Sequence, residues 1–121
     1  MEFVLNSEEM QEADSYTIKN FTSSLELMER AGRECYKLIL PYISKNNNIL
    51  VACGSGGNGG DGLVIARLLL ENGYNATVCM IGSHLKSETK TNLERYKGKV
   101  IQAIDNIGVD AFDVIIDSVL G

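Results

Sequence analysis

Six of the nine positions from Gly54 to Gly62 are glycine, in the run Cys53-Gly54-Ser55-Gly56-Gly57-Asn58-Gly59-Gly60-Asp61-Gly62. A β-prone segment, Asn48-Ile49-Leu50-Val51-Ala52-Cys53, leads into it, and the apolar-periodic Leu63-Val64-Ile65-Ala66-Arg67-Leu68-Leu69-Leu70 leads out. A glycine-rich passage from strand to helix constrains the fold more than any other feature of this chain. It leaves backbone N–H groups unpaired, lets a ligand approach the main chain, and ends on the positive pole of a helix. Such a turn is suited to phosphate.

The remaining segments build a fold around that unit. Ser7 with Glu8 and Glu9 reads as the start of a helix running to about Asn20. Ser23 and Glu26 have capping-box spacing before a second helix, on which Met28, Ala31, Cys35 and Leu38 form one face and which Pro41 ends. Lys45 to Asn48 is a polar turn, Ile49–Cys53 a strand, and residues 59–71 a helix stopped by Asn72-Gly73. Ala76–Ile81 reads as a strand, Ser87–Tyr96 as a polar helix, Val100–Ile104 as a short strand and Phe112–Val119 as a strong one. Apolar strands alternating with helices predict an α/β, Rossmann-like three-layer α/β/α sandwich on a mainly parallel sheet. The chain stops two residues after its last strand, so the domain is expected to be incomplete at the C-terminus. Residues 1–121 are then the N-terminal part of a single domain.

Composition narrows the function. The 121 residues carry a net charge of −5 with no basic stripe, which excludes a nucleic-acid binder that works by phosphate neutralisation. Cys35, Cys53 and Cys79 are odd in number and set among apolar residues, so they read as buried free thiols of a cytoplasmic protein. Neither a signal peptide nor an apolar run of membrane-spanning length is present in this sequence.

Gly54-Ser55-Gly56-Gly57-Asn58-Gly59 satisfies G-x-G-x-x-G. However, Met80-Ile81-Gly82-Ser83 at the end of the next strand offers no acid for a ribose hydroxyl. A P-loop would need Lys and Ser or Thr after Gly59, where Gly60-Asp61 stands. Neither standard nucleotide motif fits. Asp61 either caps free N–H groups or serves a site. Asn58 either takes a left-handed backbone position or offers a hard amide oxygen to a cation. Asp117, after Val114-Ile115-Ile116, is a strand-end acid beside the glycine turn or a site group. Asp113 lies at the opposite end of that strand with no site role, and His84 sits in a polar loop, solvated.

At these residues the chain resembles the NAD(P)H-hydrate epimerase family, also called the YjeF N-terminal domain. Four ordered segments carry the likeness: SEEMQEADSYTI, LELMERAG, CGSGGNGGDGLVIARLL against the family's CGPGNNGGDGLVAARLL, and FDVIIDSVLG against DVIVDALFG. The resemblance implies isomerase activity: repair of hydrated NADH and NADPH by interconversion of their R and S epimers. It implies that Gly57, Asn58, Gly59, Gly60, Asp61 and Gly121 bind the hydrated dinucleotide. It also implies a potassium ion held by Asn58 and Asp117. Ser55 stands where the family has proline and Gly57 where it has asparagine. The family's catalytic aspartate lies in a D-x-P-S-G segment expected beyond Gly121, so the fragment alone is expected to be inactive.

Further expectations follow from the same resemblance. A dehydratase domain is often fused in the family, and an apolar edge left by the missing part of the sheet would favour a homodimer. No nucleic-acid or membrane partner is expected. The alternative reading is a non-catalytic nucleotide-binding or scaffold module of the same fold, disfavoured because a scaffold has no need of a cation pair.

Overall fold

A computed structural model describes residues 1–5, 23–102 and 108–119. The expected helix over 7–20, together with residues 103–107, Leu120 and Gly121, lies outside the described residues. In chain order the elements are β1 (Glu2–Val4), α1 (Ser24–Ile39), a 3-10 turn (Leu40–Tyr42), β2 (Asn48–Cys53), α2 (Gly57–Glu71), β3 (Asn75–Met80), α3 (Ser87–Arg95), β4 (Lys99–Gln102), a second 3-10 turn (Val109–Ala111) and β5 (Val114–Ser118).

The strands form one sheet in the order β1-β5-β2-β3-β4, with every neighbouring pair parallel. This is the expected α/β class. β1 was not anticipated, since three residues are too few to show a period of two. It pairs Phe3 with Ile116 and Val4 with Asp117. The outer edge of β5, expected to stand open, is therefore covered by β1.

Ile49, Val51 and Cys53 of β2, Val78 and Met80 of β3, and Val114, Ile116 and Ser118 of β5 are buried. The alternate residues Leu50, Ala52, Ile115 and Asp117 are only half-buried. The buried face carries the helices, because a Cβ at Gly62 of α2 would meet Ser118 Oγ at 2.0 Å and Cys53 Sγ at 3.0 Å. α2 is the middle helix of this layer. Leu63, Val64, Ile65, Leu68 and Leu69 are buried around its circumference, as suits a helix enclosed on all sides. α1 and α3 flank it. Gly32 of α1 lets that helix close on Val64, where an added Cβ would come within 2.5 Å of the valine side chain.

α1 begins as the sequence predicts, with Ser23 Oγ accepting from Glu26 N–H at 3.3 Å. Its buried face runs through Met28, Ala31, Gly32 and Ile39, and Leu38 is a correction: it is 71% exposed. At about 100° per residue Ile39 returns to within roughly 20° of Met28, while Leu38 falls some 80° away. Glu29 of α1 clamps α2 through its ion pair to Arg67; within α1 it also pairs with Arg33 at 2.8 Å, and within α2 Arg67 reaches Glu71 at 3.1 Å. Asn72 closes α2, and Gly73 follows at φ +85°, the left-handed position that favours glycine. At the amino edge of the sheet Asp113 gains a structural role, since its Oδ2 accepts Asn48 N–H at 2.7 Å and ties β5 to β2.

Candidate functional site

The carboxyl ends of β2 and β5 lie side by side, with Ala52 opposite Asp117 and Cys53 opposite Ser118. Gly54 N–H extends this pairing to Ser118 O at 3.1 Å. α2 starts at Gly57, two residues earlier than its glycines predict, with Gly56 at the cap position. Gly59 N–H and Gly60 N–H both donate to Gly56 O, at 3.1 and 3.4 Å. Of the expected phosphate donors, Gly57 thus presents an N–H that makes no hydrogen bond among the described residues, as the first turn of a helix dictates.

The glycines divide into two kinds. A Cβ at Gly59 would lie 1.7 Å from Gly54 O, and one at Gly54 would lie 2.3 Å from Val119 O, so both positions exist to let backbone meet backbone. At Gly56 and Gly57 an added Cβ would meet no described atom within 4 Å. The first kind wedges α2 against the ends of β2 and β5. The second makes no such backbone contact among the described residues.

Asn58 is the second residue of α2 and buried, which replaces the left-handed reading of it with a helical one. Its Nδ2 donates to Leu5 O at 3.2 Å, while Leu5 N–H donates to Asp117 O at 2.9 Å. The backbone of Leu5, just beyond β1, therefore joins Asn58 to Asp117. Sequence reasoning missed Leu5, and an isolated leucine carries no signal for such a role. Asp117 Oδ1 also accepts Val119 N–H at 3.1 Å. Asp61 is buried one turn inside α2, too far from the Gly56 cap position to be the N-cap. Gly121 lies outside the described residues.

From the other side α3 holds the turn. Thr89 Oγ1 donates to Gly56 O at 2.9 Å and Lys86 N–H to Ser55 O at 3.1 Å. Cys53, below the turn, is inert: burial pushes its thiol up to about 12, although the Ser118 hydroxyl acts in the opposite direction. His84 is exposed, as expected. A separate open cleft of about 810 Å³ lies over the outer face of the helical layer, lined by Leu25, Glu29, Arg33, Arg67, Thr91 and Arg95. No residue of the glycine turn lines it, and it is bounded by the Glu29–Arg67 ion pair that holds α1 to α2.

Fold and rim together define a parallel α/β domain with a glycine-rich strand-to-helix turn at its carboxyl edge and a strand-end carboxylate beside it. Residues 24–121 match the family described as YjeF-related protein N-terminus, and the chain belongs to that family. It is 36% identical to an NAD(P)H-hydrate epimerase of Limosilactobacillus fermentum over 99% of this chain and 60% of that protein. It is 32% identical to a bifunctional NAD(P)H-hydrate repair enzyme of Coxiella burnetii over 100% of this chain and 26% of the relative. The crystal structure of yeast ynu0 (YNL200c) superposes with a TM-score of 0.66 at 28% identity, covering 98% of this chain and 56% of that one. The chain thus spans less than two thirds of the length of these relatives. No helix among the described residues is long and apolar enough to cross a membrane.

Proposed function

We propose that this chain is the dinucleotide-binding part of an NAD(P)H-hydrate epimerase, acting in the cytoplasm on hydrated NADH and NADPH. One observation carries the reading. Leu5 links Asn58, on the helix of the glycine turn, to Asp117, at the end of the neighbouring strand. Donors for phosphate and oxygens for a cation then share one rim. Gly57 offers its N–H to the diphosphate; Gly59 and Gly60 hold the turn in shape; Asn58, Asp61 and Gly121 complete the substrate contacts. The buried free thiols Cys53 and Cys79 suit a reducing compartment.

The residues present fit a potassium ion. An amide oxygen, one carboxylate and nearby backbone carbonyls are hard donors of low total charge, as a monovalent ion prefers. Among the described residues no cluster of three or more His, Cys, Asp or Glu gathers for another metal. Asn58 and Asp117 would hold the ion, which when bound offsets the negative charge of the substrate's phosphates.

Inverting a hydroxyl-bearing carbon requires a bond at that carbon to break and re-form, with a proton donor and acceptor in reach. The family resemblance assigns that work to an aspartate outside these residues. Titration calorimetry with hydrated NADH, in potassium and in choline buffer, tests the proposal. Binding is expected in potassium, with a loss of about tenfold in choline, of the order of one charge-assisted contact. Asn58→Ala and Asp117→Ala should abolish the difference between buffers. Failure of the chain to bind overturns the function, and binding indifferent to both cation and variants overturns the potassium site. Epimerisation by this chain alone, read by separating the R and S forms, would make Asp61 or Asp117 the proton-transfer group.

A further inference from the structure

We propose that Thr89 is a positioning residue that fixes the direction of the Gly57 N–H. The argument starts from the peptide joining Gly56 to Gly57. A trans peptide is planar, so its C=O and N–H point in opposite directions, and whatever holds the carbonyl also aims the N–H. Neither residue has a side chain to bias that plane, and an added Cβ on either would meet nothing described within 4 Å. The direction of that plane therefore depends on the hydrogen bonds made to Gly56 O.

Gly56 O is held from three directions, by Gly59 N–H, Gly60 N–H and the Thr89 hydroxyl. The two helix donors already satisfy the oxygen, which has two lone pairs. Thr89 is therefore not needed to pair a buried acceptor. What it adds is a fixed anchor from a different helix. The threonine is fully buried, and its Oγ1 would lie 3.0 Å from a Cβ at Gly60, so its rotamer is set by packing against the helix it braces. Lys86 N–H, one turn earlier, holds the preceding carbonyl, Ser55 O. The first turn of α3 is thus a brace for the peptides that lead into α2. Nothing in the polar sequence Ser87-Glu88-Thr89-Lys90 marked Thr89 out from its neighbours.

This inference rests on the reading of Gly57 as a phosphate donor, and its test separates the two. Thr89→Val removes the hydroxyl and keeps the branch, whereas Thr89→Ser keeps the hydroxyl and loses a methyl. Binding of hydrated NADH and of inorganic pyrophosphate is measured by calorimetry for wild type and both variants. The Gly57 amide is followed by nitrogen-15 NMR without ligand. Thr89→Val should raise the Kd for both probes by about five- to tenfold, the worth of one directed hydrogen bond. Its Gly57 resonance should move while those of Leu63 to Leu69 stay. Thr89→Ser should bind within about twofold of wild type. An unmoved Gly57 resonance in Thr89→Val overturns the proposal without reference to any ligand. Equal weakening by both variants also overturns it, since the loss would then be one of packing. Failure of the wild-type chain to bind either probe overturns the phosphate reading instead.

Discussion

Gly59→Ala is the substitution whose sign depends most on the tertiary structure. In an ordinary helix it stabilises by about 1 kcal/mol, because glycine is the poorer helix former. Here the new Cβ would lie 1.7 Å from Gly54 O, where ordinary contact begins at 3.4 Å, so the two backbones must part by about 1.7 Å. Gly54 has nowhere to retreat: its N–H is bonded to Ser118 O, and it packs against Val119 O. Overpacking against flexible side chains costs about 1–3 kcal/mol, and a backbone-to-backbone clash belongs at or above the top of that range. After subtraction of the helix gain, a net loss of about 2–4 kcal/mol is expected, a large share of the roughly 5–15 kcal/mol that holds a domain folded.

The assay is urea unfolding followed by circular dichroism. With a slope of about 2 kcal/mol per molar, the middle of the usual range, the midpoint should fall by about 1–2 M. Gly57→Ala is the control, since its Cβ would meet no described atom within 4 Å. Its stability should stay within about 0.5 kcal/mol of wild type, or rise slightly through the less flexible unfolded chain. A Gly59→Ala midpoint within about 0.3 M of wild type would refute the wedge, because the smallest net loss expected, about 2 kcal/mol, moves the midpoint by roughly 0.7 M even at the steepest slope. Equal losses in the two variants would refute it too.

Alkaline pH should destabilise the fold. Burial pushes the Cys53 thiol up from 9.0 to about 12 and the Tyr96 phenol up from 10.0 to about 12, so both release protons more readily when unfolded. Their contribution is whole below pH 9 and is lost as pH rises through 12; urea midpoints at pH 8, 10 and 11 should fall in that order, and Cys53→Ala should postpone the onset towards pH 10. Asp113→Ala should cost about 1 kcal/mol by removing the acceptor of Asn48 N–H, without changing ligand binding at the opposite edge of the sheet. Unchanged urea midpoints, or a change in binding, would contradict that assignment.

Much of the fold was legible because its local signals agree. Ser23 with Glu26, Pro41 and Asn72-Gly73 set helix boundaries through capping and backbone geometry, which depend on residues close in sequence. Legibility failed where the cause was distant. α2 begins at Gly57 because packing holds the glycines helical against their low propensity. Leu38 turned outward because the apolar face follows 3.6 residues per turn through Ile39 and not the nearer leucine. Thr89 and Asn92, in a segment that reads as a polar helix, are buried against the turn and Met28.

By itself the sequence determined the unit of strand, glycine turn and helix, the parallel α/β class, and the family to which the chain belongs. Those properties follow from residue order, because period, capping and turn chemistry act over a few positions. Only the tertiary structure decided which glycines are wedges and which are open, since that depends on what a Cβ would meet from another strand. It also decided that β1 covers β5 and that Leu5 joins Asn58 to Asp117, across 53 residues in one direction and 112 in the other. A hydrogen bond between such distant partners exists only once the sheet has brought them together, and no pattern along the chain records it.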